Sequence, residues 1–292
     1  MIRPPQPDDA EAIAKLVIAG DIAEIGEPDY TLEDLRDEWA ARDFDLATDA
    51  VVVEESGRIV GYAAFRGTET MLIVDPERLG EGFGTVLRAW AEDRAREKGL
   101  ATIRQDVGDR NAAAREHLTT AGYERERSYW RMELELDGSE LPPQPPKGFA
   151  IRPYDAAADA HALYVVNEAA FSGNADYRPE TETHFADEHV HAHNLRPELS
   201  VVAEQEGRVA GFALVRDHGD KVAYVDLLAV HPDCAGKGLG SALLRTAYAG
   251  AAQAGFRSGR LGVASDNPNA IRLYARVGMT QRWRVDSYAR AL

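Results

Sequence analysis

A chain of 292 residues is long enough for two domains of ordinary size, and 45% hydrophobic with 28% charged residues is the balance of a soluble globular protein. The net charge of −16 argues against nucleic acid or an anionic membrane as partner, since either needs a basic face, and is compatible with a cationic small molecule such as an amine. No apolar run approaches the ~20 residues of a membrane span and the start, MIRPPQPDDAEAIAK, lacks the regions of a signal peptide, so a cytoplasmic protein is expected; the single cysteine, Cys234, excludes an intrachain disulfide.

The first half opens with a short strand at Ile2 and Arg3 and a helix with Ile13, Leu16 and Val17 on its apolar side. A second helix is expected over Thr31 to Arg42, where Thr31 and Asp34 form a capping pattern. Strands over Ala50 to Glu55 and Arg58 to Phe65 read as a hairpin turned at Ser56-Gly57. A shorter strand, Thr70 to Val74, runs into DPERLGEGFG, followed by a helix from Thr85 to about Lys98 that Gly99 stops. A strand over Thr102 to Val107, a helix over Ala112 to Thr120 and a strand over Tyr129 to Leu136 complete the half.

The stretch DGSELPPQPPKG is proline-rich and stiff, giving a first domain over 1–137, a linker over 138–148 and a second domain over 149–292. Beyond it the first half repeats: EESGRIVGYA returns as EQEGRVAGFA, VDPERLGEGFG as VHPDCAGKGLG, and NAAAREHLTTAGY as NPNAIRLYARVGM. Val74 and Val230, like Gly122 and Gly278, are 156 residues apart, whereas Gly61 and Gly211 are 150 apart. The first copy therefore lacks six residues just before its glycine turn. The element order predicts an α+β (mixed α/β) fold of two tandem domains, each a largely antiparallel central sheet flanked by helices.

The second copy carries more chemistry. VAYVDLLAV, residues 222–230, is an apolar strand with one carboxylate, Asp226, inside it. The turn that follows brings Gly236, Lys237, Gly238, Leu239, Gly240 and Ser241 to a helix start, where consecutive N–H groups form an anion site suited to a pyrophosphate. Asn267 reads as a helix N-cap ahead of Pro268, and Tyr274 shares a helix face with Ala270, Ile271 and Val277.

VHPDCAGKGLGSALL followed by DNPNAIRLYARVGM resembles the acetyl-CoA-binding core of the GNAT N-acetyltransferase family, along both halves and most strongly in the second. The resemblance implies an acyltransferase that moves acetyl from acetyl-CoA to a primary amine, with two GNAT-like domains. It places Leu228, Ala229 and Val230 beside pantetheine, Gly236 to Ser241 around the pyrophosphate, Asn267 in contact with the cofactor, and Tyr274 as the acid for the departing thiolate. Ala235 stands where family members usually have Arg or Gln, so one side-chain contact is missing. Many members have a catalytic Glu where this chain has Tyr224. Strand alternation would put Tyr224, Asp226 and Leu228 on one face, so three roles are open to Asp226: base through a water, ligand of the substrate ammonium, or solvent-facing residue. The chain also resembles, more distantly, mycothiol synthase, which joins two such halves and acetylates a cysteinyl amino-sugar; Tyr224 and Gly262 depart from its expected substrate contacts. A non-catalytic CoA-binding sensor is the alternative of another class.

The first half serves as an internal control. Gly80, Gly82, Gly84 and Asn111 persist as a vestigial cofactor site, but the 156-residue offset turns Tyr274 into Leu118, Asp226 into Thr70 and Lys237 into Glu81, a carboxylate expected to face the pyrophosphate. That half is expected to be catalytically silent. His184, His189, His191 and His193, with Glu180, Glu182, Asp187 and Glu188, read as a lip over the acceptor site or a solvated helix; no metal is expected, because their spacing fits no regular zinc motif. Oligomeric state is not legible.

Overall fold

The computed structural model describes residues 1–66, 69–173, 177 and 179–292. They form two compact units, one of 1–130 with 264–266 and 283–292, the other of 131–263 with 267–282.

In the first unit, β1 (Ile2–Arg3), β2 (Ala50–Glu55), β3 (Arg58–Arg66), β4 (Glu69–Val74) and β5 (Thr102–Gly108) lie side by side in that order. Helices α1 (Ala10–Glu24), α2 (Leu32–Ala40), the single-turn α3 (Leu46–Asp49), α4 (Phe83–Glu97) and α5 (Ala112–Thr120) accompany them. Local chemistry sets the ends of these elements. Thr31 Oγ1 accepts from Asp34 N–H while Asp34 accepts from Thr31 N–H, a reciprocal cap that contributes about 1 kcal/mol to α2. Ser56 and Gly57 both take positive φ, as a tight hairpin with the strands' own twist requires. Ile13, Leu16 and Val17 bury against Val52, Tyr62 and Ala64, and Leu87 against Val51, Val60 and Ala63, so the sheet has an apolar cluster on each side.

The second unit repeats the plan. It contains β7 (Ala150–Pro153), α6 (Ala156–Phe171), α7 (Glu182–Phe185), β8 (Val201–Gln205), β9 (Arg208–Asp217), β10 (Val222–Val230), α8 (Leu239–Gln253), β11 (Ser258–Ala264) and α9 (Pro268–Val277), with strand order β11-β10-β9-β8-β7. Leu163 and Val166 of α6 pack with Phe185, Phe212, Leu214 and Ala229.

The linker over 138–148 carries neither helix nor strand, yet the division between units does not fall there. Each half sends its last strand to the other unit. From Trp283 onward, β12 (Thr280–Ala291) belongs to the first unit, where Val285 to Ala291 pair antiparallel with Gly108 to Thr102 of β5 and Tyr288 buries beside Ile103 and Val107. From Arg131 onward, β6 (Glu124–Glu135) belongs to the second unit, next to β11, where Glu133 accepts from Ser258 Oγ at 2.6 Å and Arg260 Nε at 2.9 Å. The expected domains over 1–137 and 149–292 thus each lack the strand that completes a sheet, which a reading of contiguous sequence has no means to detect.

Candidate active site

The parallel pair at the centre of the second unit holds only at its start: Val222 to Tyr224 of β10 pair with Ser258 to Arg260 of β11, and the register ends there. Asp226 to Val230 and Leu261 to Ala264 run on without pairing to each other, which opens a cleft whose edges carry free main-chain groups. On its other edge β10 pairs antiparallel with β9 throughout, except that the register slips between Val225 and Leu227. Asp226 is the extra residue of a β-bulge, a device that re-aims side chains next to functional sites.

The bulge corrects two expectations. It interrupts alternation, so Leu227 and Ala229 pack toward Phe212 and Leu214 and Leu228 does not share the face on which Tyr224 stands opposite Arg216. It also leaves Asp226 without a counterpart in the first half. Counting from Gly61 opposite Val74 and from Gly211 opposite Val230, Thr70 opposite Phe65 matches Val225 opposite Val215. Asp226 is therefore one of the six residues the first half lacks, and Thr70 is not its equivalent.

Beyond the strand, Gly236 and Gly238 take φ of 74° and 81°, a region that costs other residues energy, and Gly238 caps α8. A Cβ on either would meet nothing within 4 Å, so these two glycines serve backbone conformation. Gly240 differs: a Cβ there would lie 3.0 Å from Leu273 Cδ1, and its absence lets α8 pack against α9. The first amides of a helix have no intrahelical acceptor, and among the described residues none of the N–H groups from Gly236 to Ser241 finds another one. Lys237 Nζ donates to the Asp233 carbonyl over 2.9 Å and adds positive charge to this open row. The arrangement can receive a diphosphate, and Leu228, Ala229 and Val230 are the last residues of β10 before the turn.

Asn267 Oδ1 accepts from Ala270 N–H at 3.0 Å and so caps α9, with Pro268 in its first turn. Its Nδ2 makes no hydrogen bond among the described residues. On the same helix Tyr274 is 8% exposed, its hydroxyl has no hydrogen-bond partner among the described residues, and burial, with Tyr224 nearby, pushes its phenol up to about 12. It is therefore fully protonated at neutral pH and able to donate. Tyr224 lies between a stacked His218 ring, 4.3 Å away centroid to centroid, and the Arg131 guanidinium, 4.6 Å from its ring. A Cβ on Gly262 would come within 3.2 Å of the Tyr224 hydroxyl, so the glycine makes room for the tyrosine.

Asp226 is held, contrary to the expectation of a carboxylate open to an amine. Its Oδ2 is 2.7 Å from His189 Nδ1 and 2.9 Å from an Arg216 amino group. Burial works against its charge, but the His189 hydrogen bond and the Arg216 guanidinium outweigh it and keep the carboxyl below the usual range. Such a group is a weak proton acceptor. Arg216 also donates to the Glu188 carbonyl at 2.6 Å, tying β9 to the five-residue π-turn Ala186–Val190 that carries His189. Sequence reasoning placed His189 among four histidines without distinguishing it, and the signal is invisible at that level because the two partners are 37 residues apart. The others go elsewhere: His184 lies 3.9 Å from Glu180 and His191 3.5 Å from Asp187, and among the described residues no three metal-ligating side chains converge.

The first unit has a cleft of the same plan, since β4 and β5 pair only at Glu69 and Thr70. It encloses about 270 Å³ between Leu72, Val74, Gly80, Gly82, Gly84 and Asn111, among others. Its chemistry differs. Leu118 replaces the phenol and is buried in the core, β4 has no bulge, and Asn111 gives its amide to Glu24. Glu81 was expected to aim its carboxylate at the phosphate position; Arg78 Nε donates to it at 2.7 Å, and a second Arg78 nitrogen bonds it as well, so its charge is paired.

Known proteins resemble the chain in sequence and in fold. The sequence model described as the acetyltransferase (GNAT) family matches residues 18–123 and 161–279. A mycothiol acetyltransferase of Actinosynnema mirum is 30% identical over 220 residues, covering 74% of this chain and 72% of that protein. One from Streptomyces coelicolor is 27% identical over 232 residues, covering 77% and 74%. Among solved structures, a GCN5-related N-acetyltransferase from Sphaerobacter thermophilus superimposes with a TM-score of 0.83 at 25% identity, covering 100% of this chain and 95% of that one. A tandem GNAT protein from the clavulanic acid biosynthesis pathway gives 0.76 at 18% identity, covering 100% and 98%, a likeness of fold.

Proposed function

The chain belongs to the acetyltransferase (GNAT) family, and from that premise we propose that it transfers acetyl from acetyl-CoA to a primary amine of a small molecule by direct attack, with the chemistry in the second half. The observation that carries this reading is the joint presence, in one unit, of an open amide row at Gly236 to Ser241, a cleft beside Asp226 to Val230, and a buried, protonated Tyr274.

Acetyl-CoA supplies an activated thioester when bound. The amides of Gly236 to Ser241 and Lys237 would hold its diphosphate, the freed main chain of Leu228 to Val230 its pantetheine arm, and Asn267 Nδ2 would add a donor from the α9 end. Tyr274 delivers a proton to the sulfur as it leaves, a contribution of about 10²–10⁴ in rate for a positioned acid. No covalent intermediate on the protein is required, and the buried Cys234 thiol plays no part.

A second reading, a mycothiol-type acceptor in which the amine belongs to a cysteinyl amino-sugar, is supported by the named relatives at 27 to 30% identity. Against it, Tyr224 fills the space over Gly262 where that acceptor would need other contacts. A CoA-binding sensor predicts no turnover at all.

A thiol-release assay with acetyl-CoA over amino sugars, polyamines, aminoglycosides and peptide N-termini separates these readings. Transfer to at least one amine is expected, lowered by about 10²–10⁴ in Tyr274→Phe and kept in the volume-conserving Leu118→Met of the first half. CoA binding without transfer to any amine favours the sensor. Full activity in Tyr274→Phe removes the acid from the scheme.

A further inference from the structure

We propose that His189 is the proton acceptor for the incoming ammonium, with Asp226 and Arg216 as the residues that position it. The proposal rests on the acetyl-transfer reading above and deepens it by moving the base from β10 to the π-turn that follows α7.

Valence fixes the tautomer. An ionised carboxylate only accepts hydrogen bonds, so the 2.7 Å contact between His189 Nδ1 and Asp226 Oδ2 requires the hydrogen on Nδ1. Arg216, which also only donates, converges on the same Oδ2 at 2.9 Å, and its 3.4 Å approach to His189 Nδ1 is therefore not a hydrogen bond. In the neutral ring the lone pair is then on Nε2, and Nε2 has no hydrogen-bond partner among the described residues. The ring is steadied on its other side by Phe185, with centroids 5.2 Å apart, while 16% of the side chain stays accessible. This is a base oriented by a carboxylate, with the carboxylate neutralised from behind by a guanidinium.

The location fits as well. Asp226 is two residues beyond Tyr224, the last residue of β10 paired with β11, at the apex of the cleft, and it occupies the bulge that the first half does not have. His189 sits on a π-turn, an insertion that re-aims a side chain and recurs at functional sites. Other charged groups around the ring are Glu180, whose carboxyl feels the field of His189, and His218, which acts on Asp226 from the β9–β10 connection. Glu168 acts on Glu180 in turn and accepts a hydrogen bond from the Tyr177 hydroxyl.

The proton balance closes without a further reactant. An ammonium gives one proton to His189 Nε2, which passes it to solvent. The free nitrogen forms the C–N bond as the C–S bond breaks, Tyr274 protonates the sulfur, and the second proton from nitrogen restores the phenol. One proton is released per acetyl transferred.

The test uses the full chain, acetyl-CoA and whichever amine of the panel turns over fastest. His189→Gln is expected to lower kcat by about 10²–10⁴ while the KM for acetyl-CoA and the Kd for CoA stay within about threefold. His189→Gly is expected to regain part of the lost kcat with added imidazole, a response that a merely structural role would not give, and Tyr274→Phe to regain none. Long-range 1H–15N spectra of the protein without substrate are expected to show the Nδ1–H tautomer at His189, and Asp226→Asn, which removes the charge selecting it, to show a mixture. Wild-type kcat in His189→Gln, no imidazole rescue despite intact CoA binding, or an Nε2–H tautomer in the wild type would each overturn the proposal. Failure of the underlying reading looks different: wild-type protein then binds CoA but acetylates no amine, and the proposal falls with it.

Discussion

Asn111 donates its side-chain amide to Glu24 over 2.6 Å, whereas Asn267, which caps the corresponding helix of the second half, has no partner for the same amide among the described residues. Both asparagines cap a helix through Oδ1, so only the second half keeps a spare donor. Asn111→Ala removes a cap and a partner of the half-buried Glu24, and we expect a loss of about 1–2 kcal/mol in urea unfolding with unchanged thiol release. Asn267→Ala is expected to lose about 1 kcal/mol and in addition to raise the KM for acetyl-CoA. Equal kinetic effects from the two would contradict the assignment of chemistry to the second half.

The phenol of Tyr274, pushed up to about 12 by burial, stays protonated across the working range. Because the acid must carry its proton, it imposes no alkaline loss of kcat below roughly pH 10. A pH–rate profile compared between wild type and Tyr274→Phe checks this: the variant should run lower by a constant factor, and an alkaline limb near pH 9 that vanishes in the variant would show the phenol to be unshifted.

Stability should depend on pH through Asp21. Burial pushes its carboxyl up to about 7, with the charges of Asp29 and Glu24 adding to the shift and the Asp29 N–H bond opposing it. The folded state then binds the proton more tightly than the unfolded chain. The associated stability is complete below about pH 4, falls as pH rises to about 7 and is constant above. Asp21→Asn keeps the acceptor for Asp29 N–H and removes the titration, so its Tm should exceed wild type near pH 8 and match it near pH 4.

Gly259 lets Tyr248 lie flat against β11. A Cβ there would come within 2.6 to 2.8 Å of three Tyr248 ring atoms, and Tyr248, 1% exposed with its hydroxyl donating to the Arg260 carbonyl at 3.0 Å, has no room to retreat. Overpacking of this kind costs about 1–3 kcal/mol, so Gly259→Ala should lower the midpoint of chemical unfolding accordingly. Gly57→Ala, at an open site with positive φ, reports backbone strain alone and should cost about 1 kcal/mol.

Ending the chain at Arg282 removes the strand that pairs with β5 and takes Tyr288 and Leu292 out of the cluster containing Ile103, Val107 and Leu118. We expect amides of residues 102–108 to lose hydrogen-exchange protection while those of 208–217 keep theirs. The reverse pattern would place the C-terminal strand in the second unit.

The sequence by itself determined whatever is encoded locally: the hairpin at Ser56-Gly57, the Thr31–Asp34 cap, the glycine turns before α4 and α8, and the duplication that exposes Leu118 opposite Tyr274. Each depends on residues within a few positions of one another, or on two copies compared at a fixed offset, so backbone preference and pattern suffice to read them. Long-range placement was decided only by the tertiary structure. Register showed that Asp226 is an inserted bulge residue with no partner position in the first half, since a one-residue slip in a strand alters which face each later side chain takes. Folding brought His189 to Asp226 and Arg216, and Arg78 to Glu81, changing an assumed free base and an assumed free charge into held ones. It also sent each half's last strand into the other unit. Coulombic and hydrogen-bond partners are chosen by distance in space, and neither composition nor periodicity carries that distance.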